Sequence, residues 1–342
     1  MSPVRAGAPI AVVAEASRQP RRRIRSAPGG GDRVFLGLTR LGATLVVGII
    51  AAVGIFLGIR AYPALAVAKL SFLTTQAWEP DAHHFGIGGV LPDTVFIALV
   101  ALFVSVPVSL GLSLYISEIA PKALQRTLVS LVDLMSAVPS VVYAFWGLDF
   151  LQGHIIGVSR WLSTWLGWIP IFKVTGADFS SPTASASVFT ASTFIVGLAV
   201  SLMVIPIQCS VMREAFSQAP LGEREAAYAL GSNRWGMITS VVLPFGKGGI
   251  IGGTMLGLGR ALGETICVYL IISPIYRINF HILQEGGNSI SALIALQFAD
   301  TDSFGTSALM AAGLALFAVT MIINFAASAV VARSRSGAQS EL

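Results

Sequence analysis

Charge is what this sequence has least of. Of its 342 residues only 11% are Asp, Glu, Lys or Arg, against roughly 25% in an ordinary soluble domain. With 54% hydrophobic residues and a mean hydropathy of +0.77, the chain cannot cover itself with a solvated shell and belongs in lipid. Cysteine is also scarce: Cys209 and Cys267 lie far apart in apolar runs with no CxxC, which excludes a disulfide framework or a thiolate metal site. The four histidines, His83, His84, His154 and His281, are scattered in or beside predicted loops, so no metal site is expected. A nucleotide-binding loop is missing too. Gly246-Lys247-Gly248 lacks both the leading glycine and the hydroxyl residue of GxxxxGK[ST], and no strand precedes Gly257-Leu258-Gly259. The net charge of +5 includes Arg21, Arg22, Arg23 and Arg25 just before the first apolar run, which reads as a cytoplasmic terminus and not as a nucleic-acid patch.

What is present is a series of long apolar runs. Several exceed the ~18 residues that mark a spanning helix, and they are too long and uniform for barrel strands. The expected fold is an all-α integral membrane protein with six spans at 37–62, 93–117, 128–151, 188–212, 248–273 and 307–332. Residues 1–36 are expected to be a disordered basic tail, 63–92 an external loop, 93–332 the transport domain, and 333–342 a second tail. With both ends inside, sixteen Lys and Arg fall on the inner segments and five on the outer ones, which sets the orientation. Segment 155–172, with Trp161, Trp165 and Trp168, reads as an interfacial stretch or a short helix on the outer surface.

The inner connection at 213–247 is longer than a linker needs. Pro220 and Gly222 open it, helix formers run from Glu223 to Leu230, Gly231 interrupts, and Ser232 is placed to cap a second helix ending before Pro244. Small residues beside a charge, Glu225-Ala226-Ala227, suit a helix seated in a partner's groove.

The next run carries glycines at every fourth position, Gly249, Gly253 and Gly257, a spacing that lets helices pack closely in lipid. Arg260 and Glu264 stand within it, where an ionised group is costly. At i and i+4 they are placed to pair. The alternatives are a structural ion pair, or a pathway in which the guanidinium meets an oxyanion. Pro139 breaks the third run between Ser136 and Ser140, whose hydroxyls either face a passing anion or satisfy the local kink.

Glu225-Ala226-Ala227, then Gly231, then Val241, Leu243 and Pro244 in register resemble the coupling signature of ABC importer permeases, with Val where Ile is commoner. GLGRALGET from Gly257 to Thr265, SEIAP from Ser117 to Pro121 and AVPSVVYAFWGL from Ala137 to Leu148 are similar to the PstC-type permeases of phosphate-specific importers. The resemblance covers about residues 35–333. It implies a type I ABC importer permease architecture and a transport subunit that is not an enzyme. It also implies a PstA-type permease partner, two PstB-type ATPase subunits holding ATP and Mg, and an external PstS-type phosphate-binding protein. In that picture Arg260 and Glu264 attend phosphate passage, and no cofactor binds this chain. A permease for sulfate or molybdate, a phosphate-sensing membrane scaffold and a secondary transporter are the competing readings.

Overall fold

The computed structural model describes residues 30–175 and 186–335; of the tails expected at 1–36 and 333–342, residues 1–29 and 336–342 lie outside the described residues, while 30–36 and 333–335 are helical. Twelve α-helices carry the described chain: α1 (Gly30–Ala68), α2 (Val90–Leu114), α3 (Lys122–Ala137), α4 (Ser140–Trp146), α5 (Gln152–Leu166), α6 (Thr193–Ser217), α7 (Leu221–Ala229), α8 (Arg234–Met237), α9 (Leu243–Leu262), α10 (Ile266–Ile271), α11 (Ile290–Gln297) and α12 (Ser303–Arg335). Six helical runs are long and apolar enough to cross a membrane. One antiparallel pair, β1 (Trp78–Glu79) with β2 (His84–Phe85), stands in the connection after α1.

The chain divides after Val53. The first unit holds the early part of α1, whose side chains from Gly31 to Val53 are exposed, as suits a helix solvated by lipid. In the second unit α6 is the central element. It packs most extensively on α2 and α9, and Ile195, Val196, Ala199, Val200 and Val204 are fully buried. A second cluster joins Ala61, Ala64 and Ala68 to the β pair through Trp78 and Phe85, and to Leu309 and Ala312 of α12.

Two spans differ most from the sequence reading, while the first is longer, Gly31–Leu73, and the fourth is shifted to Thr193–Ser217. The third runs from Ser140 to Leu166 as one 27-residue helix, not over 128–151. Val138 is extended (φ −65°, ψ 127°), because a residue before proline is pushed out of the helical region. That ends α3, and Pro139 starts α4 afresh. The Tyr143 hydroxyl donates to the Met135 carbonyl at 3.0 Å, satisfying an acceptor at the end of α3. Beyond 151 nothing breaks the helix until Gly167, so the segment bearing Trp161 and Trp165 completes a span instead of lying on the surface. The fifth span, by contrast, starts and ends earlier than the expected 248–273. Arg234 to Leu262 is one run of 29 residues, passing through a π turn at Ile238–Val242. Pro244 sits in the first turn of α9, where its missing N–H costs little, so the run from Arg234 continues into α9 without a joint.

Candidate functional site: an acid-bearing helix and an open guanidinium

The helix α7 holds Glu225, Ala226 and Ala227. It ends in a Schellman motif: the Ser232 N–H donates to the Ala227 carbonyl at 3.1 Å, and the Gly231 N–H donates to the Tyr228 carbonyl at 2.9 Å. Gly231 takes φ +87° there, a conformation that favours glycine. The cap of the next helix is Asn233, not Ser232, its side chain accepting from the Gly236 N–H at 2.7 Å.

Ala227 is buried with Leu114, Phe216, Met237, Ile238 and Val242, while Val241 and Leu243 flank that cluster. Glu225 and Ala226 are exposed, and so are Leu221, Tyr228, Leu230 and Trp235 around them. The helix therefore has one face packed inward and one apolar, acid-bearing face left open.

Sequence reasoning missed how α7 is tied down. Arg224 Nη1 meets Glu118 Oε2 at 2.8 Å, with the two side chains only 18% and 3% exposed. Its Nη2 donates to the Phe216 carbonyl at 2.6 Å, and the Ser117 hydroxyl donates to Glu118 Oε1 at 2.7 Å. Glu118 lies in the π turn that ends the α2 run, and Phe216 lies in the last turn of α6. One guanidinium thus fastens the open helix to two spans. The signal was the Glu of SEIAP together with the Arg beside Glu225, but nothing in the chain order joins them.

Gly249, Gly253 and Gly257 all face α6. A methyl group on Gly249 would overlap Ala215, and one on Gly257 would overlap Gln208 and Val204.

The Arg260–Glu264 pairing does not form. Among the described residues the one ion pair joins Arg224 and Glu118. The α9 helix ends at Leu262, so Glu264 lies past the break on no common helix face. Its buried carboxylate accepts from the Cys267 N–H at 3.4 Å in the first turn of α10, and its carbonyl accepts from the Ser291 hydroxyl at 2.8 Å. Arg260, by contrast, is exposed in the last turn of α9 instead of mid-span, a terminus whose carbonyl dipoles favour a cation. It makes no hydrogen bond among the described residues. It lines an open cavity of about 470 Å³ with Ile207, Gly252, Met255, Leu256, Gly259 and Asn324. The Ser136 hydroxyl donates to the Asp133 carbonyl at 2.6 Å. Ser140 is half-buried in the first turn of α4, its carbonyl facing the Cys267 thiol.

Residues 108–336 match the family described as "Binding-protein-dependent transport system inner membrane component". The chain is 34% identical over 312 residues to a Mycobacterium tuberculosis protein named "Phosphate transport system permease protein PstC 2", covering 90% of this chain and 94% of that one. It is 33% identical over 296 residues to a Pasteurella multocida protein named "Phosphate transport system permease protein PstC", covering 85% and 89%. Among solved structures, a bacterial ABC transporter involved in import of the acidic polysaccharide alginate matches with a TM-score of 0.53 and 19% identity, over 88% of this chain and 99% of that chain. That likeness concerns the fold.

Proposed function

The chain belongs to the binding-protein-dependent transport system inner membrane components, and from that premise we propose that it carries inorganic phosphate through the membrane as one permease half of an ATP-driven importer. It is a multi-pass transport subunit, working with partner ATPase and permease subunits, and is not itself an enzyme. The finer assignment is a PstA-type permease beside it, two PstB-type ATPases holding ATP and Mg, and a PstS-type binding protein delivering phosphate from outside. Both termini and α7 then face the cytoplasm, in line with the excess of Lys and Arg on the segments sharing that side.

The observation that carries the phosphate reading is Arg260. A guanidinium exposed on an apolar helix, without an ion pair and lining an open cavity, is a fixed charge with donors to spare. It suits an oxyanion far better than a cation. Glu264 forms no ion pair with it, so the charge stays uncompensated among the described residues. Ser136 and Ser140 border the neighbouring break at Pro139 and are candidates for polar contacts along the same route.

The open face of α7, with Glu225 and Ala226 amid Leu221, Tyr228 and Leu230, is the surface offered to the ATPase. Its inward face and the Arg224–Glu118 pair pass that subunit's movement to α2 and α6, and Val241 to Pro244 pass it into α9. In vesicles holding the complete importer, Arg260→Gln is expected to lower phosphate uptake at least 100-fold while the ATPase still co-purifies. Wild-type uptake in that variant overturns the pathway assignment.

A further inference from the structure

Among the described residues of the second unit, the third span exposes a face that no other element covers, and that face is not built for lipid. Asp149 lies on it, exposed, in a π turn at Gly147–Leu151, with no hydrogen bond or ion pair among the described residues. Phe145, Trp146, Leu148, Asp149 and Phe150 line an open cavity of about 540 Å³ there. Along the 27-residue helix from Ser140 to Leu166, Asp149 is roughly 14 Å from one end and 26 Å from the other at 1.5 Å per residue. A carboxylate on a single methylene cannot reach the headgroups from that depth, and an ionised group left in hydrocarbon is strongly disfavoured.

A second observation comes from the next two turns. Gly153 and Gly157 follow Asp149 at i+4 and i+8, and a methyl group built on either meets nothing within 4 Å. Small residues at this spacing let helices approach closely in membranes. This chain uses the device internally at Gly249, Gly253 and Gly257, where α6 fills the groove. At Gly153 and Gly157 the groove is empty, and it is bordered by a ladder of stacked rings, Trp146 on Phe150 at 5.4 Å and Phe150 on His154 at 4.1 Å. The π turn adds to the case, since such bulges recur at functional positions.

We propose that the Asp149–Gly153–Gly157 stripe is the seat of a helix from the second permease subunit, which presents a Lys or Arg to Asp149. A second copy of this chain is a poorer occupant. A two-fold contact repeats the same patch on both partners and would set Asp149 against its own copy in a low dielectric. A non-identical permease with a cation at that depth neutralises the carboxylate instead. The inference rests on the reading that two permease subunits form the importer, and it adds which face meets the partner and through which charge.

The test uses the complete importer in phosphatidylethanolamine–phosphatidylglycerol vesicles. Both native cysteines are buried, so Gly153→Cys provides the accessible thiol at the stripe. The expected result is protection of that thiol from both a water-soluble and a lipid-soluble maleimide when the second permease is present, and labelling by the lipid-soluble one when this chain is made alone. Labelling in the complete importer by the water-soluble reagent would make the face an aqueous route, and labelling by the lipid-soluble reagent would make it a lipid surface; either overturns the proposal. In parallel, Asp149→Lys and Gly153→Leu are expected to lower recovery of the second permease at least tenfold, with Asp149→Lys restored by a Lys→Glu or Arg→Glu change in that subunit. Wild-type recovery with both variants also overturns the proposal. An importer that carries no phosphate yet shields Gly153→Cys would instead refute the functional reading and leave the contact standing.

Discussion

Replacing Glu118 by Gln keeps the shape of the side chain and removes only its charge, so it isolates the tie between α7 and the spans. In the native protein the carboxylate is 3% exposed, accepts from Arg224 at 2.8 Å and is steadied by the Ser117 hydroxyl at 2.7 Å. Breaking one side of a buried ion pair costs about 3–5 kcal/mol. Arg224 keeps its bond to the Phe216 carbonyl and is partly exposed, which favours the lower end, about 3 kcal/mol. At about 1.4 kcal/mol per decade, that shifts the ratio of docked to undocked α7 by on the order of 100-fold. The assay is the number of phosphate ions imported per ATP hydrolysed, in vesicles with all subunits present. Glu118→Gln should lower that ratio at least tenfold while ATP hydrolysis continues, because the ATPase still seats on the open face but pulls on a loosened helix. The double exchange Glu118→Arg with Arg224→Glu should recover part of it. An unchanged ratio in Glu118→Gln would refute the claim that this pair transmits the movement.

Three further outcomes follow from the same geometry. Glu225→Lys reverses a charge on the exposed face of α7 and should lower ATPase recovery on co-purification at least tenfold, with the permease itself still folded by circular dichroism. Gly257→Leu forces a side chain into Gln208 and Val204, and overpacking of about 1–3 kcal/mol should appear as a lower melting temperature of the detergent-solubilised complex. Gly231→Val places a β-branched residue at φ +87°, which favours glycine; it should weaken coupling through a frayed α7, read as the same import-to-hydrolysis ratio.

The fold class was legible because lipid leaves few choices: long uncharged runs must be helices. The helix α7 and its stop were legible because their signals are local, helix formers from Glu223 to Leu230 followed by Gly231. Span boundaries failed at two prolines. Pro139, read as a break within the third span, instead opens that span, whereas Pro244, two residues after a π turn, divides nothing. The Arg260–Glu264 pairing failed for a related reason, since i and i+4 spacing means adjacency only if the helix continues, and here it stops at Leu262. The Arg224–Glu118 pair was out of reach altogether. Its partners stand on different helices, and only the packing of α7 under α2 and α6 brings them together.

The unbroken run from Arg234 to Leu262 has a mechanical meaning. One end adjoins α7 and the other bears Arg260, and the rise of 1.5 Å per residue sets Arg234 and Arg260 roughly 39 Å apart. A rod of that length amplifies angle into distance: pivoting it by about 5° at Asn233 would sweep the guanidinium through about 3 Å, the length of one hydrogen bond. On the proposed function, a small rotation at the Arg234 end would therefore be enough to make or release a single anion contact at Arg260, with no hinge needed between them.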